Sequence, residues 1–196
     1  MLQQGFEEVP RRTICSTVQN ILVILGGTDH YNLMPQILSM LDELPGGFTV
    51  TAVVGPFFHN VAAVKSAAEN SRRPIRLVYS PDSVRGLMLE ADLAISAAGQ
   101  ALYELACVGC PAIAVQIAPD QGGQLGALAE AGFLRAAGSA ENHDVLAAVG
   151  DAVLSLLADP EAREDMSAVG QRLVDGKGAL RVTQRILAEA SSEDRG

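Results

Sequence analysis

A chain of 196 residues, 48% of them hydrophobic, is long enough for one α/β domain with a proper core and too apolar to be disordered. A formal net charge of −9 and the lack of tryptophan argue against general nucleic-acid binding, because there is neither a basic field nor an indole platform for bases. No apolar run reaches the roughly 20 residues that a membrane span needs, and residues 1–12 lack the apolar core of a signal peptide. Cys15, Cys107 and Cys110 form no paired framework, so a reducing compartment and a cytoplasmic protein are expected.

Residues 1–19 are polar and irregular and read as a linker or tail; residues 20–190 carry the domain; residues 191–196 are a polar tail expected to fray. The run NILVIL at 20–25 is continuously apolar, as a parallel strand covered on both faces should be. It leads into Gly26-Gly27-Thr28-Asp29. A helix is expected over 33–44, a strand over 48–54, a helix over 61–70 and a strand over 75–79. Pro81 is expected to open a helix that reaches Glu90, with Ser80 as its N-cap. A strand at 93–96, a turn at Gly99, a helix over 101–108 and a strand at 112–115 follow. A helix over 122–131 and a short sixth strand at 133–136 complete the alternation. From Ser139 onward the pattern is helical: one helix to Leu157, another from Pro160 to about Val174, a last one over 179–190. The fold class implied is α/β, a doubly wound, Rossmann-like parallel sheet of about six strands with a helical C-terminus.

Two glycine turns follow strand C-terminal ends, where ligands of open parallel sheets collect. Gly26-Gly27-Thr28-Asp29 allows close backbone approach to a ligand, or is an ordinary strand-to-helix turn with Asp29 as a cap. It has neither the dinucleotide fingerprint nor the Walker spacing. Ala98-Gly99-Gln100 opens a helix whose first N–H groups suit an anion. Glu104 lies one turn inside that helix, where a carboxylate weakens a bare anion site. It either accepts hydrogen bonds from ribose hydroxyls or is a surface helix residue. A phosphate turn beside a ribose acceptor means a nucleotide. Asp120-Gln121, at the end of the fifth strand, is either a helix cap or a pair facing sugar hydroxyls. His30 and His59 each follow a strand end, and His143 is expected on a solvated helix; the three have no metal-ligand spacing. Cys107 and Cys110 have the C-x-x-C spacing, but with no second pair or nearby His they read as buried structural thiols. Neither a metal nor a cofactor is called for.

The ordered series GGTD, VVGPFFHN, ADLAISAAGQALYELACVGCPAIAV and APDQ resembles the C-terminal domain of GT-B-type nucleotide-sugar enzymes. It is most similar to the UDP-sugar hydrolases of pseudaminic acid biosynthesis (PseG) and their spore-coat polysaccharide relatives. It is more distantly similar to the N-acetylglucosaminyltransferases that make lipid II (MurG). The resemblance spans residues 20–187 and includes the closing VDGKGALRVTQRIL. It implies that UDP or a UDP-sugar lies across the strand ends, with Tyr79, Ser80 and Val84 bordering the uracil and Glu104 on the ribose. It assigns the diphosphate to Gly26, Gly27 and Thr28 and to the amides near Ala98, Gly99 and Gln100. It turns Asp120 and Gln121 toward the sugar, where the hydrolases favour Asn-Gln. The family has a further, N-terminal Rossmann-like domain that carries the catalytic base. The resemblance therefore implies such a partner domain, in the same or a separate chain, and leaves the catalytic residues unassigned. The chain is then half of a UDP-sugar hydrolase, half of a glycosyltransferase, or a nucleotide-binding module without activity of its own.

Overall fold

The computed structural model describes residue 2 and residues 5–193, with side chains as far as 188. Its strands are β1 (Asn20–Ile24), β2 (Thr49–Val54), β3 (Ile75–Tyr79), β4 (Leu93–Ala97), β5 (Ala112–Gln116) and β6 (Leu134–Ser139). They form one parallel sheet in the order β3-β2-β1-β4-β5-β6. The first helices are α1 (Leu33–Glu43), α2 (Val61–Glu69), α3 (Arg85–Glu90) and α4 (Ala101–Val108). After them come α5 (Gly122–Glu130), α6 (Val145–Ala158), α7 (Pro160–Leu173) and α8 (Gly178–Glu193). Alternation along β1 sorts the core: Ile21 and Val23 pack with α1, α2 and α6, whereas Leu22 and Ile24 pack with α3, α4 and α5. The doubly wound sheet read from the sequence is the one observed. Its strand order reverses between β1 and β4, and the crevice outside their C-terminal ends is where such sheets bind ligands.

Local chemistry fixes the helix that matters most for the crevice. Gly109, at φ +67°, ends α4: its N–H donates to Ala106 O (3.0 Å) and the Cys110 N–H to Leu105 O (2.9 Å). A side chain on Gly109 would stand 2.7 Å from Ser167 Oγ, and one on Gly170 would stand 2.9 Å from Ala106 O. These two glycines let α7 lie directly on α4 and hold its outer face.

Several sequence expectations are corrected. Ser80 is no helix cap: its N–H donates to Val54 O at 3.0 Å, extending the β2–β3 ladder, and its φ is +39°. Helix α3 therefore begins at Arg85, with Val84 rather than Ser80 at the cap position. Ser139 ends β6 rather than opening a helix, because the Ala140 N–H continues the ladder to Gln116 O (2.8 Å). His143 then falls in the turn before α6, not on a helix. Residues 5–18 contain no strand or α-helix, as expected, yet they are clamped to the domain. Phe6 is buried, Arg12 donates to Met88 O and Ala91 O, and the buried Arg163 donates to Cys15 O and Ser16 O. Helix α8 runs through Glu193, so residues 191–193 are helical; residues 194–196 of the expected tail lie outside the described residues.

Candidate functional site

The two glycine turns follow strand C-terminal ends, as read from the sequence, and the structure sets them at the reversal point, but their helices begin differently. After β1, Gly26 takes φ +86° and both Gly26 and Gly27 are exposed. Asp29 then folds back onto α1: its carboxylate accepts the N–H groups of Leu33 (2.8 Å) and Met34 (2.9 Å) and the side-chain amide of Asn60 (2.8 Å). The capping reading of Asp29 is the observed one, and α1 offers those two donors to nothing else. After β4, Gly99 turns back on itself, its N–H donating to Ala97 O at 2.8 Å. No side chain caps α4, and no described acceptor takes the N–H of Gln100 or Ala101. Those donors and the positive end of the helix dipole face the crevice.

Glu104 sits in the first turn of this uncapped helix. Helical side chains lean toward their own N-terminus, so its carboxylate points to the mouth of the crevice. It is no ordinary surface residue: it is 7% exposed, and no hydrogen bond or ion pair from a described residue reaches its carboxylate. Burial pushes its pKa above the ordinary 4.5, against the pull of the helix dipole. A partly desolvated acceptor, unpartnered among the described residues, is what a ligand carrying hydroxyl donors relieves.

Three further strand ends complete the rim. After β3, Tyr79 is 48% exposed, with Lys65 Nζ 5.7 Å from its ring centre. Ser80 beside it has the left-handed backbone that non-glycine residues seldom adopt and that clusters at ligand sites. Val84 is partly buried at the start of α3, packed on the α3–α5 core. After β5, Gln121 accepts the Ile117 N–H with its Oε1 (3.0 Å), and its Nε2 lies 3.7 Å from where a Gly99 Cβ would be. Gln121 stands at the N-cap position of α5, as one of the two readings had it, but no side chain there bonds the helix N–H groups; Asp120 is exposed. After β2, a tight turn holds Phe57 against Gly27.

Sequence reasoning missed two supporting side chains. Gln124 donates to Ala98 O and ties α5 to the glycine turn after β4, and Asn60 ties the β2 exit to Asp29. Their single signal was an amide side chain shortly after a strand end. His30 and His59 are both exposed, and no contact joins them. Cys107 and Cys110 are buried, as expected; burial pushes the Cys110 thiol up to about 11 and the Cys107 thiol in the same direction. A cavity of about 530 Å³ lies between the N-terminal segment and α7, on a helical flank away from the strand ends; it includes Phe6, Arg11, Gln171 and Lys177.

Fold and rim together define the class: a Rossmann-like α/β domain of the kind found in GT-B structures, with an open crevice at the reversal of strand order. No protein-family model matches the sequence. The chain is 29% identical over 178 residues to the spore coat polysaccharide biosynthesis protein SpsG of Bacillus subtilis, covering 87% of this chain and 50% of that protein. Among solved structures it resembles Acinetobacter baumannii MurG, with a TM-score of 0.70 at 19% identity over 93% of this chain and 52% of that one. It also resembles Anabaena HepE, solved in complex with UDP-glucose, with a TM-score of 0.67 at 14% identity over 89% of this chain and 49% of that one. The chain thus spans about half the length of these relatives. Among the described residues, no helix is long and apolar enough to cross a membrane.

Proposed function

We propose that this chain is the nucleotide-binding half of a UDP-sugar enzyme of cell-surface polysaccharide biosynthesis, acting in the cytoplasm. The observation that carries the reading is Glu104, a buried acceptor without a partner at the mouth of an uncapped helix, beside a glycine turn at the strand reversal. The uracil lies against Tyr79, Ser80 and Val84, and the ribose hydroxyls donate to Glu104. The diphosphate lies over Gly26, Gly27 and Thr28 and receives the N–H groups of Gln100 and Ala101, next to Ala98 and Gly99. Asp120 and Gln121 face the sugar.

The reaction is hydrolysis: an activated water attacks the anomeric carbon, the bond to the diphosphate oxygen breaks, and UDP leaves. The charge that grows on the diphosphate is met by the start of α4 without prior reorganisation. The base that activates the water comes from a second Rossmann-like half. Helix α8 supports such a partner. Leu180, Val182, Ile186 and Leu187 are 49–62% exposed, and Arg181, paired with nearby Asp175 at 2.6 Å, is exposed as well. Four large apolar side chains left in solvent on one helix are what a partner domain would cover. Transfer to an acceptor sugar is the second reading, favoured by structural neighbours that include a Rickettsia africae glycosyltransferase and the rhamnosyltransferase SpnG.

Calorimetry of the chain with UDP, ADP and UDP-N-acetylglucosamine tests the binding reading. UDP is expected to bind more tightly than ADP. A folded protein that binds none of the three at millimolar concentration overturns it. Release of UDP from UDP-sugars by the chain alone is expected to be absent, and clear turnover would remove the need for a second half.

A further inference from the structure

The β2–α2 connection is built more firmly than a connection needs to be. Residues 55–58 form a β-turn, with the Phe58 N–H donating to Gly55 O at 3.3 Å and Pro56 at its second position. The Phe57 N–H crosses to Gly27 O at 2.9 Å. Gly55 is pressed onto the first glycine turn: a side chain there would collide with Gly26 O and stand 2.7 Å from the Gly27 carbonyl. Phe58 is buried beneath the turn, and Asn60 anchors its far end to Asp29. What this rigid loop presents is one aromatic ring, Phe57, 67% exposed at the lip of the crevice. A lone exposed phenylalanine needs no explanation by itself. One held rigidly over the turn beside a ligand crevice does.

The ring has a counterpart. Phe57 Cδ2 lies 3.7 Å from where a Gly27 Cβ would be, and Gln121 Nε2 lies 3.7 Å from the same point on Gly99. An apolar side chain from β2 and a polar one from β5 thus lean inward on the two glycine turns between them. Neighbouring strands are about 4.8 Å apart, so β2 and β5 stand roughly 14 Å apart across β1 and β4. A pyranose is itself two-faced, with a face of C–H groups and an edge of hydroxyls. C–H groups suit the electron-rich face of an aromatic ring, and hydroxyls suit an amide.

Resting on the nucleotide-sugar reading, we propose that Phe57 is a specificity-determining residue: its ring stacks on the C–H face of the donor sugar, while Gln121 and Asp120 bond the hydroxyl edge. Phe57 contributes to recognition of the sugar and not of the UDP. The glycine turns beneath carry the diphosphate, and the sugar attached to it sits above them, between the two side chains.

The test compares wild type, Phe57→Ala and Phe57→Trp by calorimetry with UDP and with UDP-N-acetylglucosamine, with melting temperature as the folding control. Phe57→Ala is expected to weaken UDP-N-acetylglucosamine about five- to tenfold, the range of one aromatic stacking contact, and to leave UDP within about twofold. Phe57→Trp gives the chain its single tryptophan, whose emission is expected to change with UDP-N-acetylglucosamine and hardly at all with UDP. Equal loss for both ligands would make Phe57 a nucleotide contact and overturn the proposal. So would unchanged affinity for both, which would leave the ring to pack on a partner domain. Wild type that binds neither ligand would instead bring down the nucleotide-sugar reading, and this inference with it.

Discussion

The turn after β1 and the turn after β4 lie side by side, both contain glycine and both lead into a helix. Asp29 closes the first helix with its carboxylate, so the Leu33 and Met34 N–H groups are occupied before any ligand arrives. The second helix has no side-chain cap, and the carboxylate in its first turn belongs to Glu104, a residue 7% exposed with no partner among the described residues. One turn is finished as structure and the other is incomplete. The difference teaches that a glycine turn at a strand end supplies room for an anion, while the state of the helix behind it decides whether donors remain. We therefore expect the turn after β1 to supply a surface over which the diphosphate lies, and the turn after β4 to supply the hydrogen bonds.

The largest expected effect comes from forcing the two turns out of register. Gly55→Ala drives a methyl group into the Gly26-Gly27 backbone and should lower unfolding free energy by about 2–3 kcal/mol, read by denaturant titration. A melting curve like that of wild type would show that the β1 turn yields freely. Glu104→Ala should weaken UDP by about 1–3 kcal/mol, the range for losing a charged hydrogen-bond partner, without loss of melting temperature. Unchanged UDP affinity would remove Glu104 from the ribose. Asp29→Ala separates the turns most cleanly. It should cost about 0.5–2 kcal/mol of stability through the lost cap while UDP affinity stays within about twofold. A marked gain in affinity would mean that the freed α1 amides take the diphosphate.

The smallest effect is on pH dependence. Burial holds the folded pKa of Glu104 above its ordinary 4.5, so its favourable contribution is complete below that value and is lost as pH rises through the folded one. At neutral pH the ionised carboxylate works against folding of the empty domain. Glu104→Gln should therefore melt above wild type near neutral pH, with the gap closing in acid. UDP affinity of wild type should fall as pH drops through the raised pKa, because ribose hydroxyls need the ionised acceptor. A melting gap that is independent of pH would place the effect elsewhere.

Much of this was legible before the structure. Helix α4 was read at its observed limits because an apolar, alanine-rich stretch lies between Gln100 and the stop at Gly109, both local signals. The Asp29 cap was one of two stated readings, and its partners are only four and five residues away. Failures came where a distant partner decided. Ser80 reads locally as a cap before proline, but a ladder bond to Val54 claims it. Ser139 reads as a helix start, but the ladder carries on to Ala140 through Gln116. Spacing alone could not tell a buried Glu104 from a surface one, because its burial depends on how α4 is seated at the crevice. Phe57 gave no signal, since its role depends on a backbone bond to a residue thirty positions earlier.

The contrast between the turns is tested most directly by following backbone amide resonances of the chain as UDP is added. The N–H groups of Gly99, Gln100 and Ala101 should shift strongly and saturably, while those of Leu33 and Met34 stay where Asp29 holds them. Large shifts at Leu33 and Met34, with Gln100 and Ala101 unmoved, would contradict the assignment of the diphosphate to the start of α4.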